Sequence, residues 1–188
     1  MSKKNTSFID EVFYPCWLMV SQLRNGQEIN DGEALYRRAC EWIDTAHETL
    51  SAAGFSETSC DHMLYTQCAL LDESILNRQK KDSGHTKWIK DPLQARYFNT
   101  FNAGEEFWER IRKVLQEPAP DIAVLTCFYR ALMLGFAGRY RDQGDERRED
   151  VVRKLNQLVP PFASAQETPI VSRSLRLRSG RKSYWFSW

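Results

Sequence analysis

Residues 68–77 read CALLDESILN, and they decide the fold. Leu64, Cys68, Leu71 and Ile75 recur at helical spacing, so one stripe of this segment faces a core. A second row, Tyr65, Ala69 and Leu76, runs beside it, and Asp72 fills the remaining place in that row. A carboxylate bordering a core costs free energy unless it is paired or hydrogen-bonded. Asp72 is therefore expected to be held, with Arg130 or Arg139 as its partner. Glu73 lies about 100° further round the helix, with His62, Thr66 and Asn77, and is expected to face solvent.

Helical patterning continues in both directions. Upstream, Ile9, Phe13, Cys16, Val20 and Leu23 share a face within residues 7–25, which Pro15 either divides or kinks. A turn at Asn25-Gly26 and a capping pair, Asn30 with Glu33, precede a helix whose apolar face is Leu35, Ala39, Trp42, Ala46, Leu50 and Ala53. Gly54 stops it. Downstream, residues 78–91, RQKKDSGHTKWIKD, read as a long basic loop carrying one exposed aromatic, Trp88. Short and medium helices follow at 92–99 and 104–116. In the helix at about 121–136, the run IAVLTCFYRALMLGF from Ile122 is apolar nearly all round, with Arg130 as its only charge, so it should be the central helix of the core. A last helix covers 145–158 and ends at Pro160-Pro161. No strand-like alternation is long enough for a sheet. The expected fold is all-α: seven to eight helices in one or two packed bundles.

The net charge of +1 hides an asymmetry. Arg173, Arg176, Arg178, Arg181 and Lys182 lie in residues 171–188 with no acid among them, while the remaining 21 basic residues face 25 acidic ones. A mildly acidic body with a basic tail argues against general nucleic-acid binding by the folded part. The tail runs straight into Tyr184, Trp185, Phe186 and Trp188. Basic residues followed by interfacial aromatics mark the cytoplasmic side of a membrane span, and no run of about 20 apolar residues is present. The organisation expected is a helical domain over 1–160 and a basic juxtamembrane tail over 161–188, leading to an anchor outside this chain. Five cysteines form neither a CxxC pair nor a secreted framework, which suits a reducing compartment.

Catalytic grammar is missing. Carboxylates at i and i+1 of a helix point in different directions and cannot share one substrate atom. His47, His62 and His85 show no metal-ligand spacing. The glycines at 135 and 138 follow a helix instead of linking a strand to one, so they are not a phosphate loop. The reading is a non-enzyme with no cofactor. A soluble nucleic-acid-binding helical domain, using Lys80, Lys81, Lys87 and Lys90, is the rival from another class.

Two further segments, WIKDPLQARYFNTFNAGEEFWERI over 88–111 and LMLGFAGRYR over 132–141, follow CALLDESILN in order. Together the three resemble the DotU/TssL family of type VI secretion, whose relatives serve type IVB secretion. The loop Asn102-Ala103-Gly104-Glu105 departs from the family's usual second glycine. The resemblance implies a cytoplasmic helical scaffold on the inner membrane, anchored through a C-terminal span and linking the membrane complex to the baseplate. It implies as partners a TssM/IcmF-like protein, a TssK-like baseplate subunit and a second copy of the chain, with a type IVB scaffold as the alternative context. It also implies that the Asp72-Glu73 region meets other secretion components. The expected contact residues are Asp72, Glu73, Asn77, Trp88 and Gln143.

Overall fold

The computed structural model describes residues 3–138 and 145–161. Six helices of twelve residues or more build the domain: α1 (Lys3–Arg24), α2 (Gly32–Ala52), α3 (Glu57–Leu76), α6 (Ala103–Leu115), α7 (Ile122–Met133) and α8 (Glu146–Leu158). Two short ones, α4 (Ser83–Lys90) and α5 (Leu93–Phe98), lie between α3 and α6. No strand occurs among the described residues. The all-α expectation holds: six helices are long, and the two short ones pack against α2 and α3.

The stripe Ile9, Phe13, Cys16, Val20 and Leu23 is buried as read from the sequence. Pro15 does not divide α1: it sits on the exposed side, and the helix runs through it as one element. On α2, Leu35, Ala39, Ala46 and Leu50 are buried, joined by Tyr36 and Ile43. The cap of α2 falls one residue later than expected: the Asp31 carboxylate, not Asn30, accepts from Ala34 N at 3.0 Å.

The centre of the domain is α3 rather than α7. It packs against α1, α2, α4, α5, α6 and α7, and its buried residues include Thr66, Gln67 and Ser74 as well as the apolar rows. Several of the polar groups there find partners. Thr66 and Ser74 hydroxyls donate back to the carbonyls of His62 and Leu70, and Gln67 Oε1 accepts from Trp17 Nε1 at 2.8 Å. The apolar α7 lies alongside and brings Phe128 against Phe107 of α6. Arg130, its one charge, does not reach Asp72. It donates to Asp10 of α1, Nε to Oδ1 at 3.0 Å, and both side chains are nearly inaccessible.

The largest departure concerns residues 78–91, expected as a loop. Half of them form α4, because Asp82 caps it: its Oδ1 accepts from Gly84 N and His85 N, and its Oδ2 from Ile29 N at 3.0 Å. Gly32 permits the close approach of α4 to α2, and Gly84 the approach of α4 to Ile29 in the chain before it. A Cβ on Gly32 would stand 2.2 Å from Ser83 O.

Candidate partner-binding surface

Asp72 and Glu73 leave one turn of α3 in different directions and brace two different parts of the chain. Asp72 points toward α4 and α5. Its Oδ1 accepts from Trp88 Nε1 at 3.0 Å and from Leu93 N at 2.8 Å, and its Oδ2 accepts from Gln94 N at 2.9 Å. Pro92, the residue preceding α5, offers no side-chain cap. The carboxylate of α3 thus supplies across space the acceptor that a local cap usually provides. Burial pushes the Asp72 carboxyl up to about 7, against the downward pull of the three N–H donors. No arginine holds Asp72; indole and backbone donors do.

Trp88 is the other half of this contact. Expected as an exposed aromatic, it is fully buried. Its ring meets Tyr36 edge-on at 4.9 Å, and the Tyr36 hydroxyl donates to Asp91, 2.7 Å from its carbonyl oxygen. Trp88 therefore offers no surface for direct contact with a partner. The sequence signal for its burial was the cap Asp82 six residues upstream, which makes a helix of the segment and turns Trp88 inward.

Glu73 does not face solvent freely either. Its side chain is 12% exposed, with Oε2 accepting from Ala137 N and Oε1 from Gly138 N, both at 2.9 Å. Arg24 Nη2 lies 3.6 Å from Oε2. The turn so held is tightly packed: Gly138 has φ +59, and a Cβ there would stand 2.9 Å from both Gly104 O and Trp108 Nε1. Glu73 consequently fixes the point from which residues 139–144 depart. Gln143, and Arg139 with them, lie outside the described residues. The basic tail lies outside them too.

Asn77 alone of the described contact residues is open. It ends α3, its N–H donating to Glu73 O at 3.0 Å, and its side chain is exposed. It lines a hollow of about 470 Å³ together with Arg24, Glu73, Gln79 and Lys80. Three of the basic residues beyond it are paired with carboxylates: Lys80 with Glu28, Lys87 with Glu33, and Arg78 with Asp82 at 3.0 Å. This pairing compensates part of the charge that a phosphate backbone would need.

Elsewhere, titratable groups are engaged structurally. His62 Nδ1 accepts from Arg110 Nη1 at 3.0 Å, since a guanidinium only donates. Burial, then the Arg110 charge, holds the imidazole below its ordinary pKa. Cys16, Cys68 and Cys127 are buried, and burial pushes their thiols up, Cys16 to about 12. Among the described residues no three His, Cys, Asp or Glu side chains are placed to hold a metal. The Asp10–Arg130 pair was missed in the sequence. Its signal was Asp10 at i with Phe13 and Trp17 at i+3 and i+7, an acid on the margin of a buried face.

Fold and site together define a helical domain in which two central carboxylates brace neighbouring chain segments, and one of them, Glu73, also lines a surface hollow. The chain belongs to the family of the type VI secretion system protein DotU, whose model matches residues 9–187. It is similar to the crystal structure of T6SS SciP/TssL from enteroaggregative Escherichia coli 042, at 58% identity and a TM-score of 0.73, covering 90% of this chain and 98% of that one. TssL from Vibrio cholerae matches at 26% identity and a TM-score of 0.69, over 82% of this chain and 96% of that one. The cytoplasmic domain of TssL from Acinetobacter baumannii shares the fold at 22% identity, with a TM-score of 0.74 over 79% and 94% of the two chains. No curated protein matches. Among the described residues no helix is long and apolar enough to cross a membrane.

Proposed function

We propose that this chain is a non-catalytic scaffold of a type VI secretion membrane complex, linking the inner-membrane assembly to the baseplate from the cytoplasmic side. The observation that carries this reading is the family match over residues 9–187. The interior use of both central acids supports it, since it leaves them braces instead of reagents. The contact surface is the hollow at Asn77. Asp72 and Glu73 act as positioning residues for that surface. Trp88 steadies α4 from inside, and Gln143 is a further contact residue. The partners are a TssM/IcmF-like protein, a TssK-like baseplate subunit and a second copy, with the membrane reached through a C-terminal span.

The test is a pull-down of the full chain expressed in its own host, with co-purifying proteins identified by mass spectrometry. Enrichment of baseplate and IcmF-like subunits is expected. Recovery of nucleic acid without any secretion component would overturn the scaffold reading.

A further inference from the structure

The hollow at Asn77 has an uneven wall: three cations, Arg24, Arg78 and Lys80, line it against one acid, Glu73. Both Glu73 oxygens already accept backbone N–H groups, so that acid is spent inward. The donors are not spent. Arg24, 35% exposed, makes no hydrogen bond among the described residues, and its Nη2 stands 3.6 Å from the Glu73 carboxylate. Its guanidinium rests over Gly135, where a Cβ would stand 2.8 Å from Nη1. Arg78 turns Nη2 to Asp82 and to Gln27 O, but its buried Nη1 has no hydrogen-bond partner among the described residues. Buried donors seldom stay unmatched, and a bound acceptor would satisfy this one. The side-chain amides of Asn77 and Gln79 are likewise uncommitted. Lys80 is held by an exposed pair with Glu28, a kind that contributes little and exchanges easily. The carbonyls ending α1 and α3 would disfavour an anion here. Asn25 Nδ2 covers Ser21 O at 2.9 Å, however, and Lys81 Nζ covers Arg78 O at 3.2 Å.

We propose, on the reading that this hollow is the contact surface, that it receives a carboxylate: the side chain of an Asp or Glu in an acidic segment of the protein that docks there. Arg24 offers the planar fork that grips a carboxylate through two parallel N–H bonds. Lys80 exchanges Glu28 for the incoming acid, and the Asn77 and Gln79 amides donate to the lone pairs that remain. A single carboxylate fits this wall better than a phosphate backbone or an anionic lipid surface. Glu73 stands among the cations and repels each added negative charge, and Lys80 and Arg78 already have acidic neighbours.

Opposite charges placed at Gln79 test this in the full chain, because that residue is exposed and holds nothing in the fold. Capture of the baseplate and IcmF-like subunits from the host is quantified by mass spectrometry. Gln79→Lys is expected to raise it about threefold and Gln79→Glu to lower it by about as much. Lys80→Glu should follow Gln79→Glu, with hydrogen exchange at Ala137 and Gly138 unchanged in all three variants. Carbodiimide treatment of the captured complex condenses a carboxylate with an amine, the carbodiimide taking up the water as a urea. It is expected to join Lys80 to an Asp or Glu of the captured subunit. Changes in the same direction for both Gln79 variants, or Lys80 joined only to Glu28, would overturn the proposal and leave the scaffold reading standing. Charge dependence that disappears with nuclease or detergent would also overturn it, assigning the hollow to nucleic acid or lipid. Capture of no secretion subunit would remove the scaffold reading and the carboxylate with it.

Discussion

The Trp88 indole, sixteen residues along the chain from Asp72, donates its N–H to the Asp72 carboxylate at 3.0 Å in the interior of the domain. The same oxygen accepts from Leu93 N, so one carboxylate ties α4 and α5 to α3. Replacing Asp72 by alanine strands three donors in a buried site. The expected loss is roughly 3–5 kcal/mol, measured by urea unfolding. Asp72→Asn retains one acceptor oxygen and should lose less.

The same residue sets a pH dependence. Its folded-state value, about 7, lies above the ordinary 3.8. The folded state therefore binds the Asp72 proton more tightly than the unfolded chain does. That contribution is complete below about pH 4 and is lost as pH rises through about 7. Unfolding curves collected across this window should show the slope in the wild type, and Asp72→Asn should lack it.

Asp10 and Arg130 form a second buried pair, between α1 and α7. Removing one member leaves the other's charge without its counterion, which is costlier than losing an exposed pair. Asp10→Ala should cost roughly 3–5 kcal/mol. A thermal melt showing no change would mean that the remaining contacts of Arg130 suffice.

Two glycines discriminate between rigid and yielding neighbours. A Cβ on Gly32 meets the backbone carbonyl of Ser83 at 2.2 Å, whereas one on Gly84 meets the end of the Ile29 side chain at 2.4 Å. A side-chain tip can rotate aside; backbone cannot without moving α4. Gly32→Ala is expected to lower Tm several degrees further than Gly84→Ala.

How much of this could be read beforehand depended on the range of the interaction. The faces of α1 and α2 followed from spacing alone, because burial of a stripe is a local property. Asp72 was recognised as needing a partner, yet an arginine was expected. Its donors come from 16 to 22 residues downstream, one in a segment that reads as a basic loop and two at the start of the short helix after it. Lys80 and Lys87 lie against Glu28 and Glu33, in the chain before α2 and at its start, a pairing no local pattern announces. Glu73 was placed on the solvent face by its angle on the helix. What covers it is the turn at 137–138, brought there only by the packing of α7 on α3.

The central claim is that Glu73 acts by bracing that turn and not by touching a partner. The most direct measurement pairs hydrogen exchange with partner capture in Glu73→Gln, whose amide retains one acceptor for two donors. The account predicts faster exchange at Ala137 and Gly138, a stability loss of about 1–2 kcal/mol, and weakened capture of secretion partners. Unchanged protection at both amides together with lost capture would contradict it, placing Glu73 in the interface itself.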